Sequence, residues 1–143
     1  MIMSEASYFR GYARVPLDAL YFDHKIAKQK HRATSSKNVK RLLGLYRSLG
    51  CEKGSYENAV KARISEESLG EALEELGRVD LPRDPGQPGA ELPLLNVARI
   101  HCLHGLHRIL AAKKYLKEDE ERWWVVQLYK QGRRHLVSWF ITS

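Results

Sequence analysis

Apolar residues alternate with polar ones in several short segments, and this period of two predicts strands. The pattern predicts strands over residues 12–17, 59–64 and 94–103. Residues 123–129 form the segment richest in aromatic and β-branched residues and are predicted as a further strand. Residues 136–141 are apolar and fit either a closing strand or the first turns of a helix.

Helical spacing is clearest in the segment that precedes Gly50, which we expect to end a helix. Ser35 or Ser36 can cap this helix, and its apolar residues recur three and four positions apart: Val39, Leu42, Leu43, Tyr46 and Leu49. A shorter acidic helix is predicted over residues 66–76, between Ser65 and Gly77.

A third helix is predicted from Gly105 or Leu106 to about residue 117, directly after a strand. Its expected buried face consists of Leu106, Ile109, Leu110 and Leu116. The acidic run at residues 118–121 is unfavourable at a helix C-terminus, so the helix should stop before it.

These elements predict an α/β (α+β) fold with a small mixed sheet and helices, in a single domain over residues 1–143. Prolines and glycines concentrate in residues 82–93, which we interpret as a surface loop, because the flanking pieces are too small to fold separately. Residues 24–32 are polar and basic and are predicted as a loop. The abrupt end of the chain suggests a piece of a longer protein.

Composition narrows the class of protein. Hydrophobic residues make up 43% and charged residues 29%, and no apolar run is long enough to span a bilayer. The first five residues lack the pattern of a signal peptide, so we expect an intracellular protein that binds no membrane. Cys51 and Cys102 lack paired metal spacing and are expected to be buried thiols.

The net charge of +7 is unevenly distributed along the chain. Residues 1–64 hold 13 Lys or Arg and 5 Asp or Glu, whereas residues 65–143 hold 11 and 12. A basic half beside a neutral half favours a polyanionic partner such as a nucleotide, a nucleic acid or an acidic protein. The alternative is a lysine-rich surface that serves only solubility.

A strand, a glycine and a helix start follow one another around Gly105, and this arrangement can seat an anion. The unpaired N–H groups of the first helical turn and the positive end of the helix dipole attract phosphate. We expect Gly105 to let a phosphate approach the backbone, Arg108 to add a planar pair of donors, and His107 to donate a hydrogen bond.

The residues of this turn resemble a known superfamily. Gly105-x-His107-Arg108-x-x-Ala111-Ala112 after a strand, with a strand near residues 124–128, resembles the ParB/sulfiredoxin-like superfamily. Residues 15–20 are similar to its opening "v-p-l-d-x-l" strand, and the resemblance covers about residues 12–130. The string from Cys102 to Arg108, with Trp123-Trp124 downstream, is similar to a ParB-like domain of large fungal proteins.

The resemblance implies a nucleotide site. The best-supported contacts are Gly105, His107 and Arg108, with Leu106 and His104 in the same turn. Asn38 and Arg41 on the first helix and Lys28 or Arg32 in the loop before it would complete the pocket. The implied ligand is ATP or CTP with Mg²⁺, in a switch or NTPase module of a DNA-associated nuclear protein that pairs as a homodimer.

Departures from the family's patterns restrict the chemistry. Leu106 stands where sulfiredoxins carry their catalytic cysteine, and Cys102 lies too far back to replace it, so sulfinic-acid reduction is not expected. No helix-turn-helix domain accompanies the motif. His104 occupies a position that is acidic in some relatives, and the acidic catalytic residue of the free-serine kinases cannot be placed.

Other interpretations of the same residues stay open. Besides the nucleotide module, the chain fits a nucleic-acid-binding module without a free nucleotide, or an ATP-dependent phosphotransferase. Candidate nucleic-acid contacts are Lys37, Lys40, Arg47, Arg133 and Arg134. His101, His104, His107 and Cys102 could suggest a metal cluster, but their spacing spans a strand–helix junction and no carboxylate lies nearby in sequence, so no metal is expected.

Overall fold

The computed structural model of the chain describes residues 8–22, 33–84 and 92–131. Its strands are β1 (Phe9–Pro16), β2 (Leu20–Phe22), β3 (Val60–Ile64), β4 (Ile100–Cys102) and β5 (Trp123–Lys130). Its helices are α1 (Ala33–Leu49), α2 (Glu66–Glu75) and α3 (Leu106–Tyr115). Short 3₁₀ turns lie at Leu17–Ala19, Tyr56–Asn58 and Asp119–Glu121.

The five strands form one mixed sheet in the order β1-β5-β3-β4-β2. The β1–β5 and β3–β4 pairs are antiparallel, whereas β3–β5 and β2–β4 are parallel. Each parallel pair joins strands that are separated in sequence by two helices and another strand, and parallel pairing requires such a long connection. The predicted α+β class with a small mixed sheet is confirmed.

One hydrophobic core joins the sheet to the helices. It includes Val60 and Val126 from paired central strands, Val39 and Tyr46 from α1, and Ile109 from α3, all 9% exposed or less. Trp124 is 1% exposed in this core, whereas Trp123 is partly exposed beside Lys53 and Arg14, whose cationic groups lie 4.2 and 5.1 Å from its ring. The adjacent tryptophans therefore face opposite ways, as predicted for a strand.

The capping residues predicted from the sequence agree with the observed start of α2 but not with that of α1. Ser65 caps α2 by accepting a hydrogen bond from the Ser68 amide at 3.1 Å, as predicted. α1 begins at Ala33, so Ser35 and Ser36 lie inside the helix and neither is the N-cap that the sequence predicted. Leu49 is 79% exposed, so the buried side of α1 ends at Tyr46 although the apolar spacing continues to Leu49.

The predicted strand over residues 94–103 is wrong in length, since β4 spans only Ile100–Cys102. The Arg14 amide donates to the Pro93 carbonyl, and the Leu95 amide donates to the Arg14 carbonyl. Residues 93–95 therefore pair with the edge of β1. Because β1 and β4 lie on opposite sides of the central strands, one continuous strand cannot pair with both. The strand predicted at residues 12–17 likewise ends at Pro16, where a 3₁₀ turn begins.

Two predicted features lie outside the described residues: the loop at 24–32 and the apolar segment 136–141. Within the three described ranges, no helix has both the length and the apolar character that a bilayer crossing requires.

Candidate functional site

The predicted strand–glycine–helix turn is present at the end of β4. The Leu103 amide donates to the carbonyl of Lys61 at 2.9 Å, which keeps the chain beside β3 as it leaves the strand. Gly105 then adopts φ +87° and is the N-cap residue of α3. This left-handed conformation favours glycine, so the local sequence and the local structure agree.

Gly105 has a packing role that the sequence did not reveal. A Cβ atom at this position would lie 2.8 Å from Cγ2 of Val60, which is fully buried in β3. The missing side chain therefore lets α3 approach the sheet. Gly105 is therefore required for packing as well as for its left-handed backbone, independently of any contact with a phosphate.

The first turn of α3 offers main-chain donors. No side chain caps it, and the first helical hydrogen bond runs from the Ile109 amide to the Gly105 carbonyl at 3.1 Å. The amides of residues 106–108 precede that bond and are the ones that helix geometry leaves without a helical acceptor. Leu106 contributes only its amide, since its side chain is 6% exposed in the core.

α1 brings two of the predicted residues to this turn. Asn38 Nδ2 lies 3.3 Å from Nδ1 of His107, and Asn38 Oδ1 accepts bonds from Nε and Nη2 of Arg41 at 3.1 and 3.0 Å. Asn38 is partly buried, whereas Arg41 is exposed. Three residues predicted as one site from two separate helices thus form one hydrogen-bonded cluster.

The other ring nitrogen of His107, Nε2, is buried and has no hydrogen-bond partner among the described residues. A buried polar nitrogen without a partner is uncommon in folded proteins, because it has lost its hydrogen bonds to water. The described residues therefore leave the hydrogen-bonding capacity of this ring nitrogen unused.

Arg108 forms hydrogen bonds that stabilise the fold. Its Nη1 donates to the main-chain carbonyl of Asn58 at 3.2 Å, and the indole Nε1 of Trp124 donates to the same oxygen at 2.9 Å. Tyr46 approaches the same residue, with its hydroxyl 3.4 Å from the Arg108 carbonyl oxygen. Arg108 forms no ion pair with a carboxylate among the described residues, so its charge is not neutralised there.

His104 supports the turn from the sheet side. Its Nε2 accepts a hydrogen bond from the Lys61 amide at 3.1 Å. Burial lowers the pKa of His104, and the nearby positive charges of Arg108 and Lys61 lower it further. The ring is therefore neutral near pH 7, with its Nε2 already engaged, which makes His104 a structural residue rather than a phosphate donor through that atom.

The three histidines of the motif each bind a different neighbour. Nδ1 of His101 lies against the guanidinium of Arg63, Nε2 of His104 accepts from Lys61, and Nδ1 of His107 faces Asn38. Across the part of the chain that the structure describes, no three His, Cys, Asp or Glu side chains are grouped to hold a metal ion.

The remaining predicted contacts lie apart from this turn or outside the described part of the chain. Lys37, Lys40 and Arg47 are exposed on α1. Lys28, Arg32, Arg133 and Arg134 lie outside the described residues.

Sequence reasoning missed two residues of the site, Asn58 and Tyr46. Asn58 acts through its main-chain oxygen, and a carbonyl bond between distant segments leaves no pattern in the sequence. Tyr46 was predicted only as an apolar helix residue; burial raises its pKa to about 12, so its hydroxyl stays protonated and able to donate.

Comparison with known proteins gives a family and nothing beyond it. Neither the curated proteins nor the solved structures contain a significant match to the chain. Residues 8–141 match the model of a family described as the N-terminal domain of "Protein of unknown function (DUF3723)". Since the match covers nearly the whole sequence, the chain belongs to the DUF3723 N-terminal domain family.

Proposed function

We propose that the corner between α1 and the first turn of α3 binds the phosphate group of a nucleotide. The observation that carries the proposal is Nε2 of His107, buried without a hydrogen-bond partner among the described residues, beside an uncapped helix N-terminus. A phosphate oxygen would accept from this nitrogen and from the unpaired amides together.

The electrostatics of the corner favour an anion. Burial is the main reason that the pKa of His104 is lowered, and the positive charges of Arg108 and Lys61 lower it further, which indicates a positive local potential. Arg108 has no carboxylate partner among the described residues and keeps its full charge toward a ligand. The resemblance of Gly105-x-His107-Arg108 to the ParB/sulfiredoxin-like motif supports a nucleotide as the molecule that carries the phosphate, in a switch or NTPase module.

Calorimetry with ATP, CTP and ADP in the presence of Mg²⁺ tests the proposal directly. We expect at least one nucleotide to bind, and His107→Ala to weaken its binding about tenfold or more by removing one donor. Lys114→Ala is the matched control, because Lys114 is an exposed cation on the same helix. Equal weakening by both variants, or no binding to any nucleotide, would contradict the proposal.

A second candidate function is nucleic-acid binding through α1. The observation that favours it is that Lys37, Lys40 and Arg47 are all exposed on this helix. Binding of duplex DNA, with an affinity that falls steeply with salt and no affinity for free nucleotides, would establish this function instead. Charge removal at Lys37 and Lys40 would then reduce the slope of log affinity against log salt by about one for each DNA phosphate that is no longer neutralised.

A further inference from the structure

The turn at the end of β4 is joined to β3 by a side chain as well as by the main chain. The last paired residues at this end of the two strands are Ala62 and Cys102. Beyond them the Leu103 amide donates to the Lys61 carbonyl at 2.9 Å, and the chain then leaves the sheet to begin α3. The Lys61 amide donates instead to a side chain, since its acceptor is Nε2 of His104 at 3.1 Å.

The bond from Lys61 to His104 requires a neutral imidazole. Nε2 can accept only when it carries no proton, so the single proton of the neutral ring is on Nδ1. A protonated ring has N–H groups at both nitrogens. Its Nε2–H group would face the N–H group of Lys61, and this partly buried amide would lose its acceptor.

The charges around His104 also disfavour its protonation. Among the described residues, the charged groups that act on the ring are Lys61 from β3 and Arg108 from α3, and both are cations. Burial is the largest cause of the lowered pKa of His104, and these two charges lower it further. The folded turn therefore keeps the ring neutral, whereas a solvent-exposed histidine in an opened turn is protonated near its ordinary pKa of 6.5.

We infer that the His104–Lys61 hydrogen bond is a pH-sensitive switch: protonation of His104 releases the start of α3 from β3 and opens the turn over residues 103–108 in mildly acidic solution. Above pH 6.5 the neutral ring keeps the turn closed. As the pH falls below this value, the opened turn binds the proton more readily than the closed one, so the equilibrium shifts toward the opened form. This switch acts whether or not the turn binds phosphate.

Amide hydrogen exchange of the wild-type chain, measured by NMR at about pH 7 and about pH 5, tests the switch. We expect the protection of the Lys61 amide, relative to an unstructured amide at the same pH, to fall about tenfold over this range. The Leu103 amide should lose protection with it, because both bonds hold the same turn to β3. The Val125 amide, which donates to the Lys53 carbonyl at 3.0 Å, is the internal reference and should keep its protection.

His104→Gln tests which group titrates. The side-chain oxygen of glutamine can take the place of Nε2 and accepts throughout this pH range, so the Lys61 amide should be equally protected at both pH values. His107→Gln is the matched control, since His107 belongs to the same turn but faces Asn38, and it should keep the wild-type loss of protection. An NMR titration of the wild-type imidazoles should place the pKa of His104 below 6.5.

Equal protection of the wild-type Lys61 amide at the two pH values overturns the switch, and so does a pKa of His104 above 6.5. The same loss of protection in His104→Gln as in the wild type would show that another group titrates. An equal loss at Val125 would show that acid unfolds the sheet rather than the turn, which also overturns the switch. The exchange and titration measurements need only the wild-type chain, so a failure of His104→Gln to fold does not remove the test.

Discussion

The guanidinium of Arg108 donates a hydrogen bond to the main-chain oxygen of Asn58 over 3.2 Å. Because the indole of Trp124 donates to the same oxygen at 2.9 Å, this carbonyl ties the first turn of α3 to the segment that leads into β3 and to the core of the sheet. One nitrogen of Arg108 therefore supports the fold, and its guanidinium forms no ion pair among the described residues.

This shared carbonyl predicts a modest cost for Arg108→Ala. We expect the free energy of unfolding to fall by about 1 kcal/mol, because one hydrogen bond is removed while Trp124 still satisfies the oxygen. Phosphate binding should disappear in the same variant. Urea denaturation with Lys114→Ala as the exposed control measures the first effect, and a decrease above about 4 kcal/mol would show that Arg108 is mainly structural.

Gly105→Ala should destabilise the chain by about 3 kcal/mol, since it combines a left-handed backbone with the 2.8 Å approach to Val60. Gly44→Ala is the matched control: it lies within α1 with no atom within 4 Å of its added Cβ, and should stabilise by about 0.5 kcal/mol. The melting temperatures of both variants, measured by thermal unfolding, test this difference in stability. Equal melting temperatures would mean that the Val60 contact is not tight.

Ser65→Ala should lower the free energy of unfolding by about 1 kcal/mol, because the Ser68 amide loses its acceptor at the start of α2. Ser48→Ala, at an exposed position near the end of α1, should change it by less than about 0.5 kcal/mol. Chemical denaturation of the two variants beside the wild type gives the comparison. A neutral Ser65 variant would mean that another group satisfies the amide.

Alkaline pH should destabilise the fold. Burial raises the pKa of the Cys51 thiol from 9.0 to about 11 and that of Cys102 from 9.0 to about 12. Both groups bind their protons more tightly when folded, so their contribution is fully present below about pH 9 and is lost as the pH rises toward 11 and 12. Tyr46, raised from 10.0 to about 12, acts in the same direction.

The urea midpoint at about pH 8, 9 and 10 measures this effect, and it should fall steadily over the last interval. Cys51→Ala should flatten the decline in part, since it removes one of the three groups. Cys102 is buried, whereas Cys51 is only partly buried, contrary to the expectation for it. A midpoint that rises with pH over this range would contradict the raised pKa values of these thiols.

Several elements could be predicted because their signals are local. The Ser65 cap, the glycine before α3 and the aromatic strand β5 were all identified from neighbouring residues. The error over residues 94–103 arose because an alternating pattern does not specify a partner, and here the segment divides between the edge of β1 and β4.

The sequence predicted which residues lie at the candidate site better than it predicted what each of them does there. Asn38 and Arg41 were assigned to the site by resemblance, and the structure brings them to His107. Gly105 and His104 were assigned to phosphate, but each also has a structural partner in Val60 and Lys61. Such roles depend on which strand lies beside the turn, and a local sequence pattern does not specify that strand.

By itself the sequence determined the kind and order of the helices and of every strand except the three-residue β2, because period, capping and glycine positions act within a few residues. Only the tertiary structure decided the strand order and the pairing of Asn38 with His107, which are 69 positions apart. Contacts over that distance form when buried surfaces pack against one another, and packing depends on the whole chain at once. The burial of Nε2 of His107 likewise results from that packing.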